Sequence, residues 1–109
     1  MTWTIEFLSE AEQDLMKLDG SVRAQVLNGI RKVSTNPLPV SQGGYGKPLG
    51  HKNGLNLTNL LKIKFRGIGI RIVYKVEVVD NIMKIIVISA RSDEQVYKEA
   101  LLRREKYSL

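Results

Sequence analysis

The chain has 109 residues, no cysteine, a single histidine and a net charge of +6. That length suits one domain spanning 1–109 that buries roughly two-thirds of its extended-chain surface without added staples. The missing cysteines exclude disulfides, thiolate metal sites and a cysteine nucleophile, and one histidine cannot furnish a conventional zinc site. The charge is unevenly placed: residues 1–36 hold four Lys or Arg against five Asp or Glu, and the remainder hold thirteen against six. Such asymmetry points to a polyanionic partner, either nucleic acid or an acidic protein segment. The start, MTWTIEFLSE, has no basic region followed by an apolar run, and no segment reaches membrane-spanning length. A cytoplasmic protein without a membrane partner is expected.

Taken in order, Thr2–Leu8 alternates Trp3, Ile5 and Phe7 with Thr4 and Glu6, the pattern of a short strand. Ser9 and Glu12 have capping-box spacing and predict a helix with Ala11, Leu15 and Leu18 on its apolar stripe. Asp19-Gly20 breaks it. A second helix carries Val22, Val26, Ile30 and Val33, and Pro37 and Pro39 end it. Residues 36–59 are rich in turn formers and lack clear periodicity, so they read as a long connection containing the Gly-rich loop 43–54. His51 lies there, and a lone histidine in a polar loop reads as a solvated side chain.

From Leu60 to Lys75 the reading is sharper. Leu61, Ile63 and Phe65 alternate with Lys62, Lys64 and Arg66, giving a strand with one apolar and one cationic face. A tight turn at Gly67-Ile68, with a positive φ at Gly67, returns the chain as Ile70–Val76. That register sets Lys64 opposite Arg71 and Lys62 opposite Val73, on the face that also carries Arg66 and Lys75. Like charges facing each other across strands oppose folding by up to about 1 kcal/mol per pair. A cluster from which the fold gains nothing is a candidate anion site.

A second turn centred on Asp80-Asn81 would set Glu77 opposite Lys84 and lead into a strand over Met83–Ala90. Ser92 and Gln95 then open a terminal helix with Val96, Tyr97, Ala100 and Leu101, and with the i,i+4 pairs Glu94/Lys98 and Glu99/Arg103. The expected fold is α+β: an antiparallel sheet with an N-terminal helical hairpin on one face and a C-terminal helix, in the order β-α-α-β-β-β-α. The GxG at Gly67–Gly69 joins two strands, so it is no nucleotide fingerprint.

The cationic face offers donors rather than a neutral-pH acid and base. Such groups bind phosphate and stabilise a phosphorane, and Arg suits this best because its planar fork holds two phosphate oxygens. Tyr97 offers either a ring for stacking on a base or ordinary helix packing.

Two stretches, LLKIKFRGIGIRIVYKV and IIVISARSDEQVYKEALLRR, resemble the corresponding parts of the RelE family of bacterial toxins, within the RelE/ParE superfamily. The resemblance follows the whole order of elements and is most specific from Leu60 to Arg104. It implies a type II toxin that cleaves mRNA in the ribosomal A site and is neutralised by a cognate antitoxin, with no metal or organic cofactor. It assigns the active site to Lys62, Lys64, Arg71, Arg91 and Tyr97. By that analogy Arg71 would stabilise the phosphorane, Arg91 would assist the leaving oxygen, Tyr97 would stack on or orient a nucleotide, and the two lysines would bind phosphate. Lys47, Arg66 and Lys75 would contact RNA or the ribosome. The alternative on the same fold is a ParE-like DNA gyrase poison, against which the complete Lys/Lys/Arg/Arg/Tyr set argues. A basic RNA-binding module without catalysis is a third reading. One feature fits poorly: the Asp80-Asn81 register sets Arg91 opposite Ile70, on the far face from Arg71, unless twist, a bulge near Ser89-Ala90 or an early strand end re-aims it.

Overall fold

The computed structural model describes residues 2–52 and 54–109. Its elements are β1 (Thr4–Phe7), α1 (Ser9–Met16), α2 (Gly20–Val33), β2 (Lys47–Lys52), β3 (Leu55–Phe65), β4 (Ile70–Glu77), β5 (Ile82–Ser89) and α3 (Asp93–Lys106). The five strands form one sheet in the order β1-β5-β4-β3-β2. The α+β architecture is the expected one, with two additions. β1 pairs parallel with β5, so the sheet is mixed. The segment expected to be a connection contributes an edge strand, β2, antiparallel to β3. Its sequence, KPLGHK, conceals it. Pro48 lacks a donor and Gly50 a side chain, which suits an edge and a bulge rather than an alternating strand. The β2–β3 register shifts between Pro48 and Gly50, near Asn59 with its φ of 71°.

Helices cover both faces. Leu61, Ile63 and Phe65 pair with Tyr74, Ile72 and Ile70 on one face. There α2 approaches so closely that a β-carbon on Gly29 would fall 2.4 Å from the Phe65 ring. Val26, Ile30 and Val33 turn inward from this helix. α3 crosses the opposite face and buries Val96, Tyr97 and Ala100. Among the described residues no helix is long and apolar enough to cross a membrane.

The ends of the helices follow local chemistry. The capping box expected at Ser9 does not form. The Leu8 N–H is held by the Ile85 carbonyl and the Leu8 carbonyl takes the Glu12 N–H, so the strand runs straight into the helix and Ser9 lies inside it. At α3 half of the box forms: Ser92 Oγ accepts from the Gln95 N–H at 3.4 Å, while the Gln95 side chain takes the Ser92 hydroxyl, at 3.3 Å, in place of its backbone N–H. Asp19 caps α2 through the Ser21 N–H.

The connection before β2 is pinned from beneath by Tyr74. Its side chain is fully buried, its hydroxyl donates to the Pro37 carbonyl at 2.7 Å, and burial pushes its pKa up. Tyr74→Phe leaves that carbonyl without its partner and is expected to cost about 1–3 kcal/mol, measured by urea denaturation. An unchanged midpoint would mean that the connection is held by other means.

Candidate active site

The β3–β4 register is the one read from the sequence: Lys64 faces Arg71 and Lys62 faces Val73. The turn differs. Phe65 pairs with Ile70 across a four-residue connection, and the positive φ falls on Gly69, at 66°, rather than on Gly67. Both arrangements share a midpoint, so the cations meet as expected while the turn chemistry changes. β2 adds Lys47 to this row, directly opposite Lys62. Four cations, Lys47, Lys62, Lys64 and Arg71, thus lie on the face that α3 crosses.

α3 supplies the rest. Lys62 Nζ lies 3.0 Å from the Tyr97 hydroxyl. The same Nζ is 5.8 Å from the Tyr97 ring centre, a separation that fits the hydroxyl lying between them. The contact is therefore a hydrogen bond to the phenol oxygen, not a cation stacked on the ring face. Tyr97 is 2% exposed, so in this conformation its ring packs in the core and is closed to a nucleobase. Of the two readings the sequence left open, helix packing is the one observed, with the hydroxyl as the polar end that reaches the site.

Arg71 is held twice. Its Nε donates to Asp93 Oδ1, and its Nη1 donates to the Arg91 carbonyl at 2.8 Å. Arg91 lies in the short turn from β5 into α3, and Asp93 is the first residue of α3. Arg91 reaches this position because the β4–β5 register differs from the predicted one and the strand stops short of it. Val73 pairs with Val87 and Tyr74 with Ile85, which leaves Ile86 as a bulge. β5 then ends at Ser89, opposite Arg71. In this register position 91, two residues beyond Ser89, falls on the Arg71 side, whereas the predicted register set it on the far face. Its backbone meets Arg71, and the residue lines a groove of about 380 Å³ that also includes Asp14, Lys17, Gln95 and Glu99.

The expected Asp80-Asn81 turn is likewise a four-residue connection, with Glu77 opposite Ile82 and Lys84 opposite Lys75. The Lys84–Glu77 ion pair still forms diagonally at 3.4 Å, and Glu6 joins it at the same distance.

The remaining cations divide by availability. Lys64 and Lys47 are exposed, with no ion pair or hydrogen bond among the described residues, and Arg66 is exposed in the turn. Lys75 is committed: its Nζ donates to the Leu109 backbone oxygen at 2.6 Å. His51 pairs with Asn56 on the exposed edge, several residues along β3 from Lys62. No cluster of metal-ligating side chains occurs among the described residues. The residue that sequence reasoning missed is Asp93. Its only signal was an acid immediately after a predicted helix cap in the basic half of the chain.

No protein-family model and no curated protein sequence matches the chain. Solved structures do. A double-mutant E. coli toxin RelE in the free state matches with a TM-score of 0.74 and 25% identity, covering 94% of this chain and 98% of that one. The same mutant toxin in complex with an antitoxin peptide matches at 0.68 and 25% identity, over 92% and 95%. A chain of the RelBE2 toxin-antitoxin complex from Mycobacterium tuberculosis shares the fold at 0.67 and 23% identity, over 85% and 95%.

Proposed function

We propose, from its likeness to solved RelE toxins, that the chain is a RelE-family toxin of a toxin-antitoxin pair, acting as a ribosome-dependent endonuclease on mRNA in the A site. The observation that carries this reading is the convergence of Lys62, Lys64 and Arg71 on one sheet face, with the Tyr97 hydroxyl on Lys62. Solved relatives bound to antitoxins support a cognate antitoxin as partner.

The proposed reaction is a transesterification. The 2′-oxygen of one nucleotide forms a bond to the adjacent phosphorus while the bond to the 5′-oxygen breaks. The proton lost by the 2′-hydroxyl is matched by the one gained at the 5′-oxygen, leaving a 2′,3′-cyclic phosphate and a 5′-hydroxyl. Arg71 stabilises the charge on the phosphorane through its planar fork. Lys64 binds a phosphate oxygen. Lys62, held by Tyr97, is the lysine with a fixed partner through which a proton can pass. Arg91 assists the leaving oxygen. Lys47 and Arg66 lie beyond this centre and contact RNA or the ribosome, and Lys75, tied to Leu109, contributes less to that surface.

None of these side chains is an ordinary neutral-pH acid/base pair. A site of this kind gains most from a substrate already held in line, and orientation of that sort supplies several kcal/mol of the barrier. The ribosome provides it by fixing the mRNA.

The test uses purified protein, ribosomes programmed with a defined mRNA, and mapping of the new ends. Cuts are expected within the A-site codon, with 2′,3′-cyclic phosphate ends and far slower cutting without ribosomes. Intact mRNA in that assay, or inhibition of DNA gyrase with intact mRNA in cells, would overturn the proposal.

A further inference from the structure

Arg71 is the strongest phosphate ligand on the face, yet in the free protein its Nε already holds an anion, the Asp93 carboxylate. The pair lies at the surface of the site rather than in the core, the Arg71 side chain being 19% exposed and that of Asp93 42%. A guanidinium has five N–H donors. Asp93 and the Arg91 carbonyl engage one each, so Arg71 keeps its place but not its full capacity. The charged residues nearest it are Lys64 across the strand pair, Arg91, whose backbone carbonyl it holds, and Asp93 itself. Asp93 is thus the negative group set among the cations. As the first residue of α3, following the Ser92 cap, it also lies where a helix N-terminus favours a carboxylate. It can release Arg71 and remain stabilised.

We propose that Asp93 is an internal stand-in for the RNA phosphate at Arg71. It occupies the guanidinium in the free toxin, a substrate phosphate displaces it, and it thereby sets the anion affinity of the site. For an RNA substrate this rests on the endonuclease reading, whereas the phosphate seat itself rests on the geometry around Arg71. The consequence deepens ribosome dependence. RNA free in solution meets a guanidinium already paired with a tethered carboxylate, whereas mRNA fixed in the ribosome presents its phosphate at high effective concentration.

The experiment needs neither ribosomes nor turnover. Binding of inorganic phosphate is titrated by NMR, following the Arg71 Nε–H resonance and the surrounding amides, in the wild type, Asp93→Asn and Asp93→Ser. Glu94→Gln serves as the control: it makes the same charge change one residue further on, in a carboxylate paired with Lys98 at 3.1 Å. Asp93→Asn and Asp93→Ser are expected to bind phosphate about fivefold tighter, as befits loss of a competing, partly exposed ion pair. Glu94→Gln is expected to stay within about twofold of wild type at moderate ionic strength, where distant surface charges are screened. The gain should vanish when Arg71→Ala is added. A gain of affinity is not what structural damage produces. Equal or weaker binding in both Asp93 variants, an equal gain in Glu94→Gln, or a gain that survives Arg71→Ala would overturn the proposal. An inactive wild type on ribosomes would overturn the endonuclease reading while leaving the phosphate result intact.

Discussion

Arg71→Ala is expected to lower single-turnover cleavage of ribosome-bound mRNA by about 10²–10³-fold, the usual effect of removing one donor aimed at developing charge. Stability should change by about 1 kcal/mol or less. The ion pair with Asp93 is partly exposed, and its loss is offset by removing the like charge opposite Lys64. Asp93 is not stranded by the change, because it sits in the first turn of α3 and reaches solvent. Affinity for the ribosome should hold, since the wider basic surface, including Lys47, Lys64 and Arg66, is untouched. The predicted signature is therefore a fall in maximal rate at nearly constant half-saturation. Arg71→Lys keeps the charge but loses the planar fork, so its rate should remain well below wild type. Cleavage by Arg71→Ala at the wild-type rate would remove Arg71 from the mechanism.

The Lys64–Arg71 pairing also shows where sequence reasoning was strong. Strict alternation over Leu61–Arg66 settles which side chains share a face, and a symmetric connection settles which residues oppose one another. The turn could change its dihedral pattern from Gly67 to Gly69 without moving Lys62, Lys64 or Arg71 relative to each other. The β4–β5 hairpin lacked that protection. Val78 and Val79 look like strand residues, yet they are 63% and 95% exposed in a four-residue connection, which shifts the register. The Ile86 bulge shifts it again, and a run of β-branched residues gives no local sign of which one bulges. The predicted register therefore set Arg91 on the far face, whereas in the fold its backbone carbonyl meets Arg71. β2 escaped notice because an edge strand is held by backbone hydrogen bonds to β3 alone, so Pro48 and Gly50 are tolerated there and no alternation is required. Asp93 was read only as an ordinary helix-terminal acid, because its contact with Arg71 links positions 22 residues apart and follows from tertiary structure.

The same limit applies to Arg103, whose sequence context suggests a surface i,i+4 pair with Glu99 worth a few tenths of a kcal/mol. In the fold its side chain is 11% exposed and that of Asp14 only 16%. Arg103 donates to Asp14 at 2.6 and 3.3 Å, to Glu99 at 2.8 Å and to the Ile86 carbonyl at the bulge at 2.9 Å. Asp14 in turn accepts the Ile88 N–H at 3.1 Å, so the network joins α1, β5 and α3. Burial disfavours the charged guanidinium, but the hydrogen bonds and charges of Asp14 and Glu99 more than offset it, and the Arg103 pKa is raised. Arg103→Ala leaves Asp14 a largely buried charge without its cation, whereas Asp14→Ala leaves Arg103 with Glu99 and the Ile86 carbonyl. Arg103→Ala is expected to cost about 3–5 kcal/mol, a large share of the roughly 5–15 kcal/mol that holds a domain folded, and Asp14→Ala less, because Glu99 still neutralises Arg103. Because both single changes break the same contacts, the double variant should cost clearly less than their sum. Urea denaturation of the three variants measures this, and a cost below about 1 kcal/mol for Arg103→Ala would show that the network is not holding the helices. Below its melting point Arg103→Ala should still cleave at close to the wild-type rate per folded molecule, because Lys62, Lys64, Arg71 and Tyr97 all remain. That outcome is the reverse of the one expected for Arg71→Ala. The two variants together separate the groups that hold α3 against the sheet from those that meet the phosphate.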